Sequence, residues 1–296
     1  MRCVLAGSRY FGATVLDALR REEGVEFVCV IVPAKDDRLA LAAHAAGLPV
    51  HVLANPKIVP GNAIPDGTDL IVAAHTHARV SPEALARSRL GGVGYHPSLL
   101  PRHRGRNPYF WSIDSGDELT GVTVHRLAAE YDTGPMLGAR SLRVGKRDAW
   151  QLARALDRPS LSLLRETVAR LGRREAVAEV PQDERLATSA PEPSGDALKV
   201  DFGWTTERVL RRIRALSPTP GLALEVEGTP LFVTRAEPAT DYVAALIPGE
   251  AHISGALTLR TSDGAIQVTR AFFPETEAEA TSAEDVAALL KRGPRA

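Results

Sequence analysis

Two side chains that could together manage charge and a proton are His96 and Asp132. His96 follows the small, apolar run of residues 91–95, so we expect it at the carboxyl end of a strand, where open α/β sheets bind their ligands. Residues 119–127 predict a second strand and residues 132–134 a turn after it. An imidazole held by a carboxylate can donate to a developing oxyanion and move a proton, which are the two tasks of acyl transfer.

The residues around this pair form a longer pattern. Residues 96–105 read HPSLLPRHRG, and residues 131–134 read YDTG. Together they resemble the signature of the formyltransferase superfamily that uses 10-formyltetrahydrofolate, which includes methionyl-tRNA formyltransferase and the hydrolase domain of 10-formyltetrahydrofolate dehydrogenase. The resemblance implies that His96 is the catalytic histidine, that Asp132 is the catalytic aspartate, and that the folate is a co-substrate with no metal required.

One position departs from the transferase pattern. The asparagine that those enzymes carry two residues before the histidine falls on Gly94. Losing one donor to the developing oxyanion typically costs about 2.7–4 kcal/mol of transition-state stabilisation. The dehydrogenase-associated hydrolase domain also lacks this asparagine, so Gly94 is compatible with folate chemistry but raises hydrolysis as an alternative. A backbone amide, His75, His77 or Asn107 could replace the missing donor.

The same resemblance implies a binding site for the folate donor. The main-chain groups of Ala78 and Val80 would hydrogen-bond the pteridine, and recognition by the backbone allows side chains to vary. The remaining implied contacts are the apolar slot and the loop that wraps the pterin, namely Leu85, Leu90, Ala128, Ala129 and Glu130.

Two groups of polar side chains keep several interpretations open. His75 and His77 follow a predicted strand and could bind a metal with His96, contact folate or acceptor, or simply pack, since imidazoles serve all three purposes. The basic residues at 102, 104 and 106 could form a solvated face or receive an acidic acceptor or the folate glutamate tail.

The pattern along the chain predicts an α/β fold. A strand at residues 3–6, a helix at 11–21 and a strand at 25–32 form the unit of a Rossmann-like, doubly wound and mostly parallel sheet. The turn after the first strand lacks the G-x-G-x-x-G pattern, which argues against a dinucleotide site. Five short alternating runs between 222 and 272 predict a small OB-like barrel. We therefore expect a catalytic domain at 1–175, a linker at 176–198 and an OB-like domain at 199–296, with residues 293–296 as a frayed end.

Composition limits the partners. The chain has 36 basic and 36 acidic residues, so it lacks the positive excess of a nucleic-acid-binding protein. The short connection at residues 33–39 is also smaller than the basic loop with which tRNA formyltransferases approach their substrate. Cys3 and Cys29 are expected as packed thiols. Because no apolar run reaches the roughly 18 residues of a membrane span, we expect a cytoplasmic protein without membrane contact; a homodimer stays open.

These observations favour transfer of a formyl group from 10-formyltetrahydrofolate to an amine or hydroxylamine of a small molecule. The alternatives are hydrolysis of the folate with release of formate, a non-catalytic folate-binding protein, and a metal enzyme that uses the three histidines. Sugar amines, hydroxyornithine and peptide amines all stay open as acceptors, and methionyl-tRNA is disfavoured.

Overall fold

The structure is a computed structural model, and it describes residues 1–292. The predicted frayed end, residues 293–296, lies outside that range. The first elements are β1 (Arg2–Gly7), α1 (Arg9–Leu19), β2 (Glu26–Val32), α2 (Arg38–Ala45), β3 (Val50–Val52), β4 (Ile58–Val59), β5 (Leu70–Ala74), β6 (Arg79–Val80), α3 (Pro82–Ala86), β7 (Gly92–His96), α4 (Pro108–Asp114), β8 (Leu119–Arg126), β9 (Met136–Arg143) and α5 (Ala149–Gly172). They are followed by α6 (Thr206–Leu216), β10 (Leu222–Val226), β11 (Thr229–Pro238), β12 (Ala251–Ile253), β13 (Leu257–Arg260), β14 (Ala265–Phe273), β15 (Ala278–Ala280) and α7 (Ala283–Arg292).

The described chain divides into two compact units. The first comprises residues 1–108, 119–143 and 154–191, and the second comprises residues 109–118, 144–153 and those from 192 onward. The predicted domain boundaries at residues 175 and 199 remain predictions.

The first unit is built on a seven-stranded sheet with the order β3-β2-β1-β5-β7-β8-β9. Neighbouring strands from β3 to β7 are parallel, and β8 and β9 continue the sheet in antiparallel fashion. The predicted Rossmann-like sheet is thus confirmed. From β1 the chain adds β2 and β3 on one side, and then β5 and β7 on the other side. Such sheets open a ligand crevice at the switch point between the two sides, which here lies between β1 and β5.

Both faces of this sheet are covered. In β1, Cys3 and Leu5 point into one apolar cluster, whereas Val4 and Ala6 point into the other. The alternation explains why the strands are apolar throughout, because helices and loops bury each side of a parallel sheet. Both cysteines are free and buried, as predicted, and burial raises the pKa of the Cys3 thiol to about 12.

The second unit contains an antiparallel sheet with the order β10-β11-β14-β13-β12, and β15 pairs with β14. The five predicted strands are present, and the curled sheet confirms the OB-like expectation. The sequence pattern missed β15, which has only three residues and follows a turn. None of the described helices is long and apolar enough to cross a membrane.

A buried ion cluster joins α4 to α6 within the second unit. Asp114 receives two hydrogen bonds from Arg208, at 2.6 and 3.0 Å, and two from Arg212, also at 2.6 and 3.0 Å. Arg212 also donates to the carbonyls of residues 196, 197 and 199. Burial alone would raise the pKa of the Asp114 carboxyl, but the two guanidinium groups hold it below its usual range.

We expect Asp114→Asn to lower the free energy of unfolding by about 3–5 kcal/mol, because it leaves the buried Arg212 charge uncompensated. Urea unfolding measures this loss.

The same cluster makes stability depend on pH. Since the pKa of Asp114 is lower in the folded than in the unfolded protein, the stabilisation from its carboxylate is present above the unfolded-state pKa and is lost as the pH falls towards the folded-state pKa. The control Asp17→Asn removes the two exposed ion pairs of Asp17 with Arg20 and Arg21 and should leave the urea midpoint unchanged. Equal effects of the two substitutions would contradict the role of the cluster.

Candidate active site

His96 is the last residue of β7, as predicted. β7 lies between two strands, with Gly94 beside Ala73 of β5 and His96 opposite Thr123 of β8. Only 4% of His96 is exposed. The strand therefore delivers the imidazole to the carboxyl edge of the parallel part of the sheet, inside the protein rather than on its surface.

The structure brings His96 and Asp132 together. The Nδ1 atom of His96 lies 3.4 Å from Oδ2 of Asp132. Its other ring nitrogen, Nε2, lies 2.7 Å from the carbonyl oxygen of His103, in the loop after β7. The imidazole is thus held at both ends, by a carboxylate and by a main-chain acceptor.

A second imidazole, which the sequence analysis missed, contacts the same carboxylate. Nε2 of His125 lies 3.5 Å from Oδ1 of Asp132, and its Nδ1 lies 2.8 Å from the carbonyl oxygen of Arg126. His125 is in β8, directly opposite Gly94. Alternation along the strand could have placed it on a buried face, but only the register between β7 and β8 shows that it meets Asp132.

Both nitrogens of each ring, His96 and His125, face an acceptor oxygen, which makes four contacts. A neutral imidazole has only one N–H, so with both rings neutral two of these contacts lack a ring proton. Burial lowers the pKa of His96 against the opposing effect of Asp132. Burial acts to raise the pKa of Asp132, but His96, His125 and the N–H of Gly105 hold it below its usual range. Both shifts favour a neutral His96 beside an ionised Asp132.

The turn at Asp132 has a constrained backbone. Asp132 has φ 58°, in the left-handed region that few non-glycine residues adopt. Oδ2 of its carboxylate also accepts the N–H of Gly105 at 3.0 Å. Gly134 packs so closely on β8 that a Cβ there would lie 2.0 Å from the carbonyl oxygen of Arg126. The turn thus needs glycine at position 134 to present the carboxylate to His96.

The residues implied to contact the folate lie in two neighbouring segments. The N–H groups of Arg79 and Ser81 donate to the carbonyls of residues 57 and 59, so the main-chain groups of Val80, between them, point away from β4. The N–H of Ala78 instead meets Oγ1 of Thr76 at 3.1 Å. Leu85 packs with Ala78 and Val80 on one side of the sheet, whereas Leu90 packs against the cluster on the other side.

The predicted pterin loop is tied to that segment. Nη1 of Arg79 donates to the carbonyl of Ala129 at 3.0 Å, and the hydroxyl of Tyr131 donates to the carbonyl of His77 at 3.1 Å. Ala128 is half-buried, and Ala129 and Glu130 are exposed. Apart from Leu90, which packs on the other side of the sheet, the implied contacts therefore lie in this segment and in the loop next to Asp132, and their roles in binding remain predictions.

His75 belongs to a different cluster from His96. Burial lowers the pKa of His75, and the neighbouring charges that act on it are those of Arg9, His77 and Asp37. The rings of His75 and His77 have their centroids 6.0 Å apart. In the part of the chain that the structure describes, no group of three or more His, Cys, Asp or Glu side chains is arranged to hold a metal ion.

Position 94, where the transferases carry an asparagine, has apolar surroundings in this structure. Gly94 lies on the face of β7 that also presents His96, two residues along the strand. A Cβ at position 94 would lie 3.0 Å from Cδ2 of Leu127 and 3.4 Å from Cβ of Ala73. Leu127 thus covers the position from which an asparagine would reach towards a substrate.

Comparisons with known proteins agree with this geometry. Residues 1–156 match the formyl transferase family, and residues 195–285 match the formyl transferase C-terminal domain. Methionyl-tRNA formyltransferase of Thiobacillus denitrificans is 33% identical over 261 residues, which cover 84% of each chain. That of Anaeromyxobacter dehalogenans is 32% identical over 99% of this chain and 98% of its own.

Solved structures show the same fold at lower identity. HypX from Aquifex aeolicus in complex with tetrahydrofolic acid has a TM-score of 0.66 and 22% identity, and this chain spans 48% of its length. An N-formyltransferase from Helicobacter canadensis, complexed with folinic acid and dTDP-3-aminofucose, has a TM-score of 0.69 and 15% identity, with 90% of this chain and 98% of its own covered.

We expect Asp132→Asn to lower the pKa of His96 further, because burial depresses that pKa and the carboxylate is the main influence that raises it. The measurement is an NMR titration of ¹³C,¹⁵N-histidine-labelled protein, with the His96 signal assigned from His96→Gln. A pKa of His96 that stays the same or rises in the variant would contradict the pairing.

Proposed function

Because the chain belongs to the formyl transferase family, we propose that it transfers the formyl group of 10-formyltetrahydrofolate to a primary amine. The observation that carries the proposal is the buried contact between His96 and Asp132 at the end of β7. A carboxylate that orients an imidazole is the arrangement that general acid–base catalysis of acyl transfer requires.

The residues divide the chemistry as follows. The folate supplies the formyl group on N10. Nε2 of His96 donates a hydrogen bond to the formyl oxygen as negative charge develops there, in place of the His103 carbonyl that lies 2.7 Å from this nitrogen. Asp132, directly or through a water, accepts the proton that the amine loses as its nitrogen bonds to the formyl carbon, and returns a proton to N10 when the C–N10 bond breaks, so that tetrahydrofolate leaves. His125 can share that proton, because its ring meets the other oxygen of the carboxylate.

The donor would bind where the segment around β6 meets the loop at residues 128–131. Val80 offers main-chain groups on the side of β6 away from β4, and the loop is attached to this segment through Arg79 and Tyr131. A pterin has a mixed edge of hydrogen-bond donors and acceptors, which main-chain N–H and C=O groups can match. Leu85 adds apolar surface at the same place.

For the acceptor we propose first the amino group of methionyl-tRNA, since relatives that bear that name match most of this chain. This differs from our sequence-based expectation of a small acceptor with nucleic acid as an unfavourable partner. A small amine remains the second candidate because the segment where tRNA formyltransferases carry a longer basic loop is short here. The connection between β2 and α2 comprises only residues 33–37, and Asp37 is fixed there by the N–H groups of Arg9 and Leu39.

Incubation with formyl-labelled folate tests the proposal. We expect label to pass to methionyl-tRNA, and His96→Gln or Asp132→Asn to lower kcat/KM by about 10²–10⁴-fold, because each removes a proton-transfer group. The control His44→Gln changes an exposed histidine on α2 and should not affect the rate. Label that appears only in a small amine would select the second acceptor, and full activity of both site variants would contradict the mechanism.

A further candidate is hydrolysis of the folate, which the apolar contacts of Gly94 favour. With Leu127 over position 94, no amide reaches the formyl oxygen from there. Formate released from the folate by the unchanged protein without any acceptor would mark water as its nucleophile. We expect the double substitution Gly94→Asn with Leu127→Ala to raise the rate of amine transfer by about 10-fold or more, because one oxyanion donor is restored.

The matched control is Leu127→Ala alone, which opens the space without adding the donor. A transfer rate that rises equally in the control, or that does not change in the double variant, would show that the missing donor at position 94 does not limit formyl transfer.

A further inference from the structure

A segment distant in sequence from His96 binds the two stretches of chain that its ring contacts, the loop with His103 and the turn with Asp132. We call residues 180–190 the strap. It begins with Val180, whose main chain exchanges two hydrogen bonds with Met136 at 2.8 and 2.9 Å. It ends with Ala190, which donates to the carbonyl of Arg104 at 2.6 Å and accepts from the N–H of Asn107 at 2.9 Å. The strap belongs to the same compact unit as His96.

At one end of the imidazole, the strap fixes the loop that carries His103. The N–H of His103 donates to Oγ1 of Thr188 at 2.8 Å, and the N–H of Arg104 donates to the carbonyl of Thr188 at 2.9 Å. His103 has φ 62°, another left-handed conformation at a non-glycine residue. Thr188 thus helps to hold the carbonyl that faces Nε2 of His96.

At the other end, Gln182 fixes the turn that carries Asp132. Its Nε2 donates to the carbonyls of Asp132 and Gly134, both at 2.8 Å. Its Oε1 accepts from Nε and Nη2 of Arg104 at 3.0 and 2.7 Å. Because a guanidinium only donates and a carbonyl only accepts, these four contacts determine the orientation of the amide.

We propose that Gln182 is a positioning residue for the proposed formyl transfer, whose side-chain amide clamps the Asp132 turn in the conformation that sets the carboxylate against His96. The two carbonyls that it binds belong to the residues on either side of Thr133, and the first of them, Asp132, has the left-handed φ. Arg104 donates to the oxygen of this amide, and its guanidinium also donates to both carboxylate oxygens of Glu184 at 2.8 Å. Gln182 does not touch the reacting atoms, so its effect passes through Asp132.

Gln182→Met tests this inference, because methionine has similar length but cannot donate to the two carbonyls. We expect kcat to fall by about 10–100-fold, since a displacement of a catalytic group by about 1 Å costs this much. KM for the folate should change much less than kcat. In the histidine titration, the pKa of His96 should move in the same direction as in Asp132→Asn, because the carboxylate is no longer held beside the ring.

The matched control is Arg185→Gln, which changes an exposed side chain of the strap that pairs with Asp183 and leaves Arg104 and the amide of Gln182 in place. It should retain the wild-type kcat and His96 titration. If Gln182→Met does not fold, as judged from its thermal unfolding, Gln182→Ala provides the same comparison.

The two readouts separate this inference from the proposed function. If the wild-type protein transfers no formyl group, the proposed function fails, while the NMR titration still reports whether Gln182 governs the contact between His96 and Asp132. A Gln182 variant that is folded and has a wild-type His96 titration would overturn the inference, whatever its activity.

Discussion

The site depends on one carboxylate that is shared between two buried imidazoles. Asp132 faces His96 with one oxygen and His125 with the other, and each ring has its second nitrogen against a main-chain carbonyl. A buried carboxylate is costly unless hydrogen bonds compensate its charge. Here that compensation comes from groups that can also move protons, so the interaction that makes the charge tolerable also makes the cluster suitable for proton transfer.

The fold supplies this arrangement by changing strand direction at β7. The parallel strands bring β7 to an edge where ligands bind, and the antiparallel β8 returns so that His125 lies opposite Gly94. The loop with His103 and the turn with Asp132 then close around His96 from two directions. Both have left-handed residues at their key positions, and such conformations persist only where the surroundings determine them. Thr188 and Gln182 provide those surroundings from a segment more than fifty residues downstream of β8.

The sequence was most informative where the physical signal is local. The apolar run before His96 indicated a strand end, and the strand–helix–strand pattern at the start of the chain indicated the sheet. The pairing of His96 with Asp132 followed from a motif rather than from geometry. His125 and Gln182 escaped notice because their importance depends on strand register and on long-range hydrogen bonds, and neither leaves a local pattern. The composition of residues 176–198 likewise suggested a linker, although part of this segment bonds directly to the site.

Gly94 illustrates how a departure from a motif acquires meaning only in three dimensions. In the sequence it is a missing amide, whereas in the structure it is a close contact with Leu127 and Ala73 on the face that also presents His96. The site combines the charge arrangement of a formyl transferase with an apolar surface at the position of one donor. In the proposed reaction the oxyanion would then have one donor fewer, whether an amine or water is the nucleophile.

The most direct measurement is a double-mutant cycle on His96 and Asp132, with single-turnover transfer of labelled formyl as the readout. If the two side chains act as one unit, the variant with both His96→Gln and Asp132→Asn will be no more than about threefold slower than the slower single variant, because groups that act together have non-additive effects. If the two losses multiply instead, His96 and Asp132 act independently, and the paired mechanism is wrong.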